Sequence, residues 1–156
     1  MFNNSSYIST KAIIHENVKI GPFCYVDDNV VIEENCVLKS HVSIVGNTKI
    51  GKNNIFYPFS SIGSSPQDLK FQNEKSFLTI GNNNTFREYV TINPGTLGGG
   101  LNTTVKNNCL FMVGSHIAHD CIIESNVILA NNATLAGHVE IGENAIIGGN
   151  TGIHQF

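Results

Sequence analysis

Four histidines stand close together in the second half of this 156-residue chain: His116, His119, His138 and His154. Imidazole titrates near pH ~6.5 and is the commonest general base at neutral pH. Asp120 follows His119, so a carboxylate is at hand to orient that ring and support the imidazolium formed when it takes a proton. Gly137 precedes His138. No nucleophile is placed beside them, because Cys121 points inward and Ser115 is a corner residue of the repeat that carries them. The chemistry expected is a base-assisted attack by a substrate hydroxyl, without a covalent intermediate. A zinc ion held by three imidazoles and a water is the competing reading. The remaining histidines, His15 and His41, share no column and read as solvated turn residues.

The sequence also shows what must hold these groups. Stepping by six from Ile8 meets Ile14, Ile20, Val26, Ile32, Leu38, Ile44, Ile50, Phe56 and Ile62, all large and apolar. The step resumes at Ile80, Phe86 and Ile92, and again from Val105 through Phe111, Ile117, Ile123, Leu129, Leu135, Ile141 and Ile147 to Ile153. Four residues after most of these stands a smaller one, Cys24, Cys36, Ala133 and Ala145 among them. A period of six is not the helical 3.6. It suits short strands joined by tight turns, three hexads making one triangular coil, with coils stacked as parallel strands about 4.8 Å apart. The expected fold class is all-β: the hexapeptide-repeat parallel β-helix, left-handed in its known families, spanning 1–156 as a single domain. Trimers are its habitual assembly. Asparagines and the glycines that follow the apolar position (Gly21, Gly51, Gly63, Gly81, Gly142, Gly148) are expected at the turns, since both tolerate positive φ.

Two stretches, 64–79 and 93–104, break the step and read as inserted loops, which in solenoids often map to a binding face. The glycine run 98–100 lacks the Lys-Ser/Thr and the helix of a phosphate loop. Counted from the start of their own coils at Val105, Ile123 and Ile141, His119, His138 and His154 lie 14, 15 and 13 residues in. They are therefore expected to stack outward on one edge of three successive coils. Cys24, Cys36, Cys109 and Cys121 occupy the small inward position and fit no zinc spacing, so they read as buried small hydrophobes.

Composition narrows the class further. Charged residues make up 13%, against roughly 25% in ordinary domains. A hydrophobic content of 41% with a net charge of −3 excludes disorder. No apolar run approaches the ~20 residues of a membrane span, and the first twenty residues carry no signal-peptide pattern. The pI near 6.0 argues against nucleic acid as partner. A cytoplasmic protein is expected.

The stretches IGSSPQDLKF (62–71), REYVTINPGT (87–96), HIAHDC (116–121), ILANNATLAGHVEIG (128–142) and IIGGNTGIHQF (146–156) resemble the bacterial acyl-[acyl-carrier-protein]–UDP-N-acetylglucosamine O-acyltransferases. That resemblance covers essentially the whole chain. It implies transfer of an (R)-3-hydroxyacyl group from acyl carrier protein to the 3-position of UDP-N-acetylglucosamine, the first step of lipid A biosynthesis, without a cofactor or metal. It further implies that His119 is the general base, Asp120 its supporting carboxylate, and the Gly137 amide an oxyanion donor. His116 and His138 then contact substrate, Gln67, Asp68 and Lys70 hold the sugar and its phosphates, His154 and Gln155 serve the nucleotide side, and Met112 lines the acyl groove. Where that family commonly has His-Arg after VTI, this chain has Asn93-Pro94, which bears on whether the acceptor is the 3-hydroxyl or a 3-amino sugar. The family continues beyond the position of Phe156 into further coils and a helical C-terminal domain, so the chain reads as a catalytic β-helix cut before its end. A γ-carbonic-anhydrase-like zinc protein and a truncated, non-catalytic remnant are the alternatives.

Overall fold

The structure, a computed structural model, describes residues 5–155. The outermost residues of the expected 1–156 domain, 1–4 and 156, lie outside the described residues. Strands of two residues, occasionally four, form three parallel sheets of eight, seven and seven strands. Each strand pairs with the strand one full coil away, as Ile62 does with Ile44 below and Ile92 above. This is the left-handed parallel β-helix expected from the six-residue step. Among the described residues no helix is long and apolar enough to cross a membrane.

The step explains the core. In a two-residue strand one side chain faces inward and one outward. The inward ones are the periodic residues: Ile32, Leu38, Ile44, Ile50, Phe56, Ile62, Ile92 and Ile117 are fully buried. Phe56, Phe86 and Phe111 stack inside the third sheet with ring centroids 4.6 and 4.9 Å apart. All four cysteines are buried and unpaired, each thiol facing a backbone carbonyl of the next coil.

Three corners join the sheets, and they differ in kind. The corner from the second sheet to the third carries Asn17, Asn35, Asn53, Asn83, Asn108, Asn126 and Asn144, all left-handed. Asparagine is among the few L-residues that adopt this conformation routinely. The corner from the third sheet to the first carries Phe23, His41, Phe59 and Tyr89, also left-handed and stacked as an aromatic ladder at 4.9 to 5.3 Å. His41 is thus a ladder rung and not merely a solvated turn residue, while His15 lies 3.7 Å from Glu33.

The glycines serve a different purpose from the one expected. Of the six, only Gly63 has positive φ. Gly21, Gly51 and Gly81 are needed because a Cβ would come within 2.7 Å of Lys39 O, 2.6 Å of Gly81 O and 2.7 Å of Lys106 O respectively. Close approach between coils, and not turn conformation, keeps them.

Both insertions leave from the remaining corner, first sheet to second. Strands Phe77–Ile80 and Asn102–Val105 extend into the ranges assigned to loops, so the excursions narrow to 64–76 and 93–101. The reason is mutual pairing: Phe77 registers with Asn47 on one side and Asn102 on the other, lengthening all three strands together. The pairing of Ile80 with Val105 absorbs the extra residue within the second excursion.

Candidate functional site

At the first-to-second corner the strand His116–Ile117 leads into Ala118-His119-Asp120-Cys121 before Ile122 begins the next strand. Asp120 is left-handed (φ 60), at the corner where the chain turns from the first sheet to the second. His119 and Asp120 are both buried, His119 at 8% and Asp120 at 6% exposure. The excursions cover them.

A buried carboxylate must be hydrogen-bonded. Asp120 Oδ1 accepts the Thr96 backbone N–H at 2.8 Å, and Oδ2 accepts the Thr96 hydroxyl at 2.5 Å and His119 Nδ1 at 2.8 Å. Its own N–H donates to Thr103 Oγ1 at 2.8 Å. With the carboxylate accepting, Nδ1 carries a proton, and in the neutral ring Nε2 then presents a lone pair. Nε2 faces Asp68, whose Oδ2 lies 4.0 Å away.

One coil higher, Gly137 stands over His119 and His138 over Asp120. A Cβ at residue 137 would lie 2.3 Å from His119 Cε1, so only glycine leaves room for the ring. His138 Nε2 is 3.9 Å from Asp120 Oδ2, and the His119 and His138 rings meet edge to face at 5.0 Å.

Three cavities open from this corner. One of about 570 Å³ is lined by Gln67, Asp68, Lys70, Asn93, His119, His138 and Gln155. A second of about 570 Å³ lies between the excursions, bounded by Asp68, Lys70, Glu74, Thr96, Leu97 and His138. The third, about 470 Å³, is a groove on the outer face of the first sheet lined by Gln67, His116, Ala118, Ala136 and His154. The excursions are tied to each other: Asn93 Nδ2 donates to Ser64 O at 2.9 Å, and Glu74 Oε1 accepts the Leu97 N–H at 3.0 Å. That Leu97 contact is the main reason the Glu74 carboxyl sits below its ordinary range.

Electrostatics distinguish the groups. His116 is held below its ordinary value, first by burial and second by His119, so it stays neutral and bonds Thr91 Oγ1 at 2.7 Å. Burial pushes the Cys121 thiol up to about 11, which makes it a poor nucleophile at neutral pH.

Of the residues expected from the sequence, His119, Asp120, Gly137, His138, Gln67, Asp68, Lys70, Asn93 and Gln155 come together at one corner. His116 and His154 line the adjoining groove. Met112 lies at the other edge of the first sheet and lines none of these cavities. The expected column of three imidazoles is corrected. His154 follows the first-sheet strand directly, in the column of Ala118 and Ala136, and its Nδ1 bonds the Gln155 carbonyl at 2.9 Å. Among the described residues of one chain, His154 therefore does not join His119 and His138 in a three-imidazole cluster. His119, Asp120 and His138 do bring one ligand atom each within 4.8 Å of one another. Asp120 Oδ2, however, is already occupied by Thr96 and His119. Sequence reasoning missed Thr96, Gly99 and Glu74, which carry no periodic signal, and Thr103, which takes the small inward position two residues before Val105.

The chain matches the bacterial transferase hexapeptide (six repeats) family over residues 11–46 and 102–137. It is 55% identical over 124 residues to the acyl-[acyl-carrier-protein]–UDP-N-acetylglucosamine O-acyltransferase of Rickettsia peacockii (strain Rustic), covering 76% of this chain and 47% of that one. Thus it spans about half the length of the curated relatives it matches. A crystal structure of a UDP-N-acetylglucosamine acyltransferase superposes with a TM-score of 0.99 at 47% identity, covering 100% of this chain and 60% of the other. The acyltransferase of Bacteroides fragilis 9343 superposes at 0.81 with 37% identity, covering 95% and 67%. With this fold and these likenesses, the chain belongs to the UDP-N-acetylglucosamine acyltransferase family.

Proposed function

We propose that this chain transfers an (R)-3-hydroxyacyl group from acyl carrier protein to the 3-position of UDP-N-acetylglucosamine, the first step of lipid A biosynthesis, acting in the cytoplasm as a homotrimer. The observation that carries the reading is the His119–Asp120 pair: a buried imidazole oriented through Nδ1, with Nε2 turned to a cavity lined by Asp68, Lys70 and Asn93. The names of the relatives point to the sugar nucleotide and the acyl carrier protein, and the His119–Asp120 pair beside the cavity supports a histidine base.

In this mechanism His119 Nε2 takes the proton of the sugar 3-hydroxyl as that oxygen attacks the thioester carbonyl. Asp120 supports the imidazolium. The Gly137 amide, directly above the ring, meets the oxyanion, and collapse expels the carrier thiolate, which takes the proton from His119 and leaves as the thiol. Gln67, Asp68 and Lys70 on the first excursion hold the sugar and its phosphates, with Asn93 and His138 flanking them. His116, half-buried and held toward its neutral form, contacts substrate as a hydrogen-bonding group. His154 and Gln155 serve the nucleotide side, and Met112 the acyl groove. A positioned base contributes about 10²–10⁴-fold and one oxyanion donor about 10²–10³-fold.

The test is incubation with UDP-N-acetylglucosamine and (R)-3-hydroxyacyl carrier protein, following the acylated sugar nucleotide by mass. Product that disappears with His119→Ala supports the reading. Sugar-nucleotide binding without product sinks it and favours a non-catalytic role.

A further inference from the structure

We infer that Thr96 is a positioning residue: it grips the Asp120 carboxylate by both oxygens and thereby fixes the tautomer and aim of His119. Its kinetic consequence rests on the transferase reading, but its geometry does not.

Three hydrogen bonds reach the wholly buried Asp120 side chain from His119 and Thr96, and Thr96 provides two of them, N–H to Oδ1 and hydroxyl to Oδ2. The terminal torsion of an aspartate is broad. A carboxylate bonded only to the imidazole is free to turn with it, whereas one held at both oxygens by a separate residue is not. The hydroxyl also shares Oδ2 with the imidazole, so it holds in place the acceptor oxygen that keeps a proton on Nδ1.

Thr96 is itself held. Its carbonyl accepts the N–H groups of Gly99 at 3.1 Å and Leu101 at 2.9 Å, closing a 3₁₀ turn over Leu97–Gly99. Gly95 lies so near the returning chain that a Cβ would fall 2.1 Å from Asn102 N. Gly99 lies on the carboxylate, where a Cβ would fall 2.0 Å from Asp120 Cγ. From below, Thr103 accepts the Asp120 N–H. Since Leu97 bonds Glu74, the clamp is continuous with the excursion that carries Asp68 and Lys70. Order in the two excursions is thus transmitted to the base through one threonine.

The test compares Thr96→Val, which keeps the shape and removes the donor, with Thr96→Ser, which keeps the donor. Two readouts are taken on the 156-residue chain: kcat and KM for UDP-N-acetylglucosamine, and the ¹⁵N shifts of the His119 ring. Loss of a hydrogen bond to a charged group predicts a kcat about 10- to 100-fold lower for Thr96→Val, with KM unchanged. Thr96→Ser should lie within about twofold of the parent, the size of a change that spares the bond. The wild-type ring should show a single Nδ1–H tautomer, and Thr96→Val a mixture. Wild-type kcat and one tautomer in Thr96→Val would overturn the inference, as would failure of Ser to rescue. If Thr96→Val does not fold, Thr96→Ala gives the same comparison without the added methyl. If the parent itself makes no product, the transferase reading fails, and the ring spectra still decide the role of Thr96.

Discussion

The second-to-third corner and the first-to-second corner of this prism are built from the same repeat and put to opposite uses. At the former, asparagine takes the left-handed position in coil after coil, and side chains such as Asn53, Asn83 and Asn108 bond one another at 3.1 and 3.2 Å. At the latter the left-handed positions are mixed, Gly46, Gly63, Asn73, Gly100, Leu101, Asp120 and His138, and two coils open into excursions. The core behind both corners is equally buried. A fold whose backbone is fixed by inward residues at two-residue strands leaves its turns free to vary, and here one edge holds structure while another gathers chemistry.

The sharpest break between the two is expected from pairing His119→Ala with Phe86→Ala. The first should lower acyl transfer by about 10²–10⁴-fold while the circular dichroism spectrum stays that of a β-helix. The second removes a ring stacked between Phe56 and Phe111 and should cost about 3–5 kcal/mol in denaturant unfolding. A glycine pair separates the corners at finer scale. Gly137→Ala drives a methyl into the His119 ring and should cost activity about 10²-fold, the size of a lost catalytic interaction. Gly21→Ala presses on Lys39 O, away from the site, and should instead cost about 1–3 kcal/mol of stability with kcat retained.

Smaller effects sharpen the contrast. Asn53→Ala should lose about 1–2 kcal/mol through its left-handed backbone, Asn53→Gly should recover most of it, and neither should change turnover. The smallest effect is a pH dependence. Because His116 is held below its ordinary value of 6.5, the unfolded chain binds more protons than the folded one between the two values. Stability should therefore rise with pH through the window just below 6.5, and the penalty that the site places on the protonated His116 ring should be fully present below its folded value. Urea midpoints measured across pH 5 to 7 should lose this component of the slope in His116→Asn.

The fold was legible because burial imposes a strict six-residue step that no helix shares. The turns were legible only in part. Asparagines were rightly placed, but Gly21, Gly51 and Gly81 answer to the carbonyl of the next coil, a contact invisible in a single repeat. The histidine column failed for a related reason: a one-residue difference in register places Gly137, not His138, over His119. The excursion limits were blurred because their exits pair with each other. Thr96 left no sequence signal, since its partner is 24 residues away and its role depends on how an irregular loop returns. Periodic residues reveal themselves by repetition; residues that bridge excursions do so only in space.

The central claim is that the first-to-second corner holds a base which acts through His119 Nε2. Its most direct test is acyl transfer from (R)-3-hydroxyacyl carrier protein to UDP-N-acetylglucosamine by the parent chain and by His119→Ala, both confirmed folded. The expected result is product from the parent and a loss of about 10²-fold or more in the variant. Near-parent turnover in His119→Ala would contradict it.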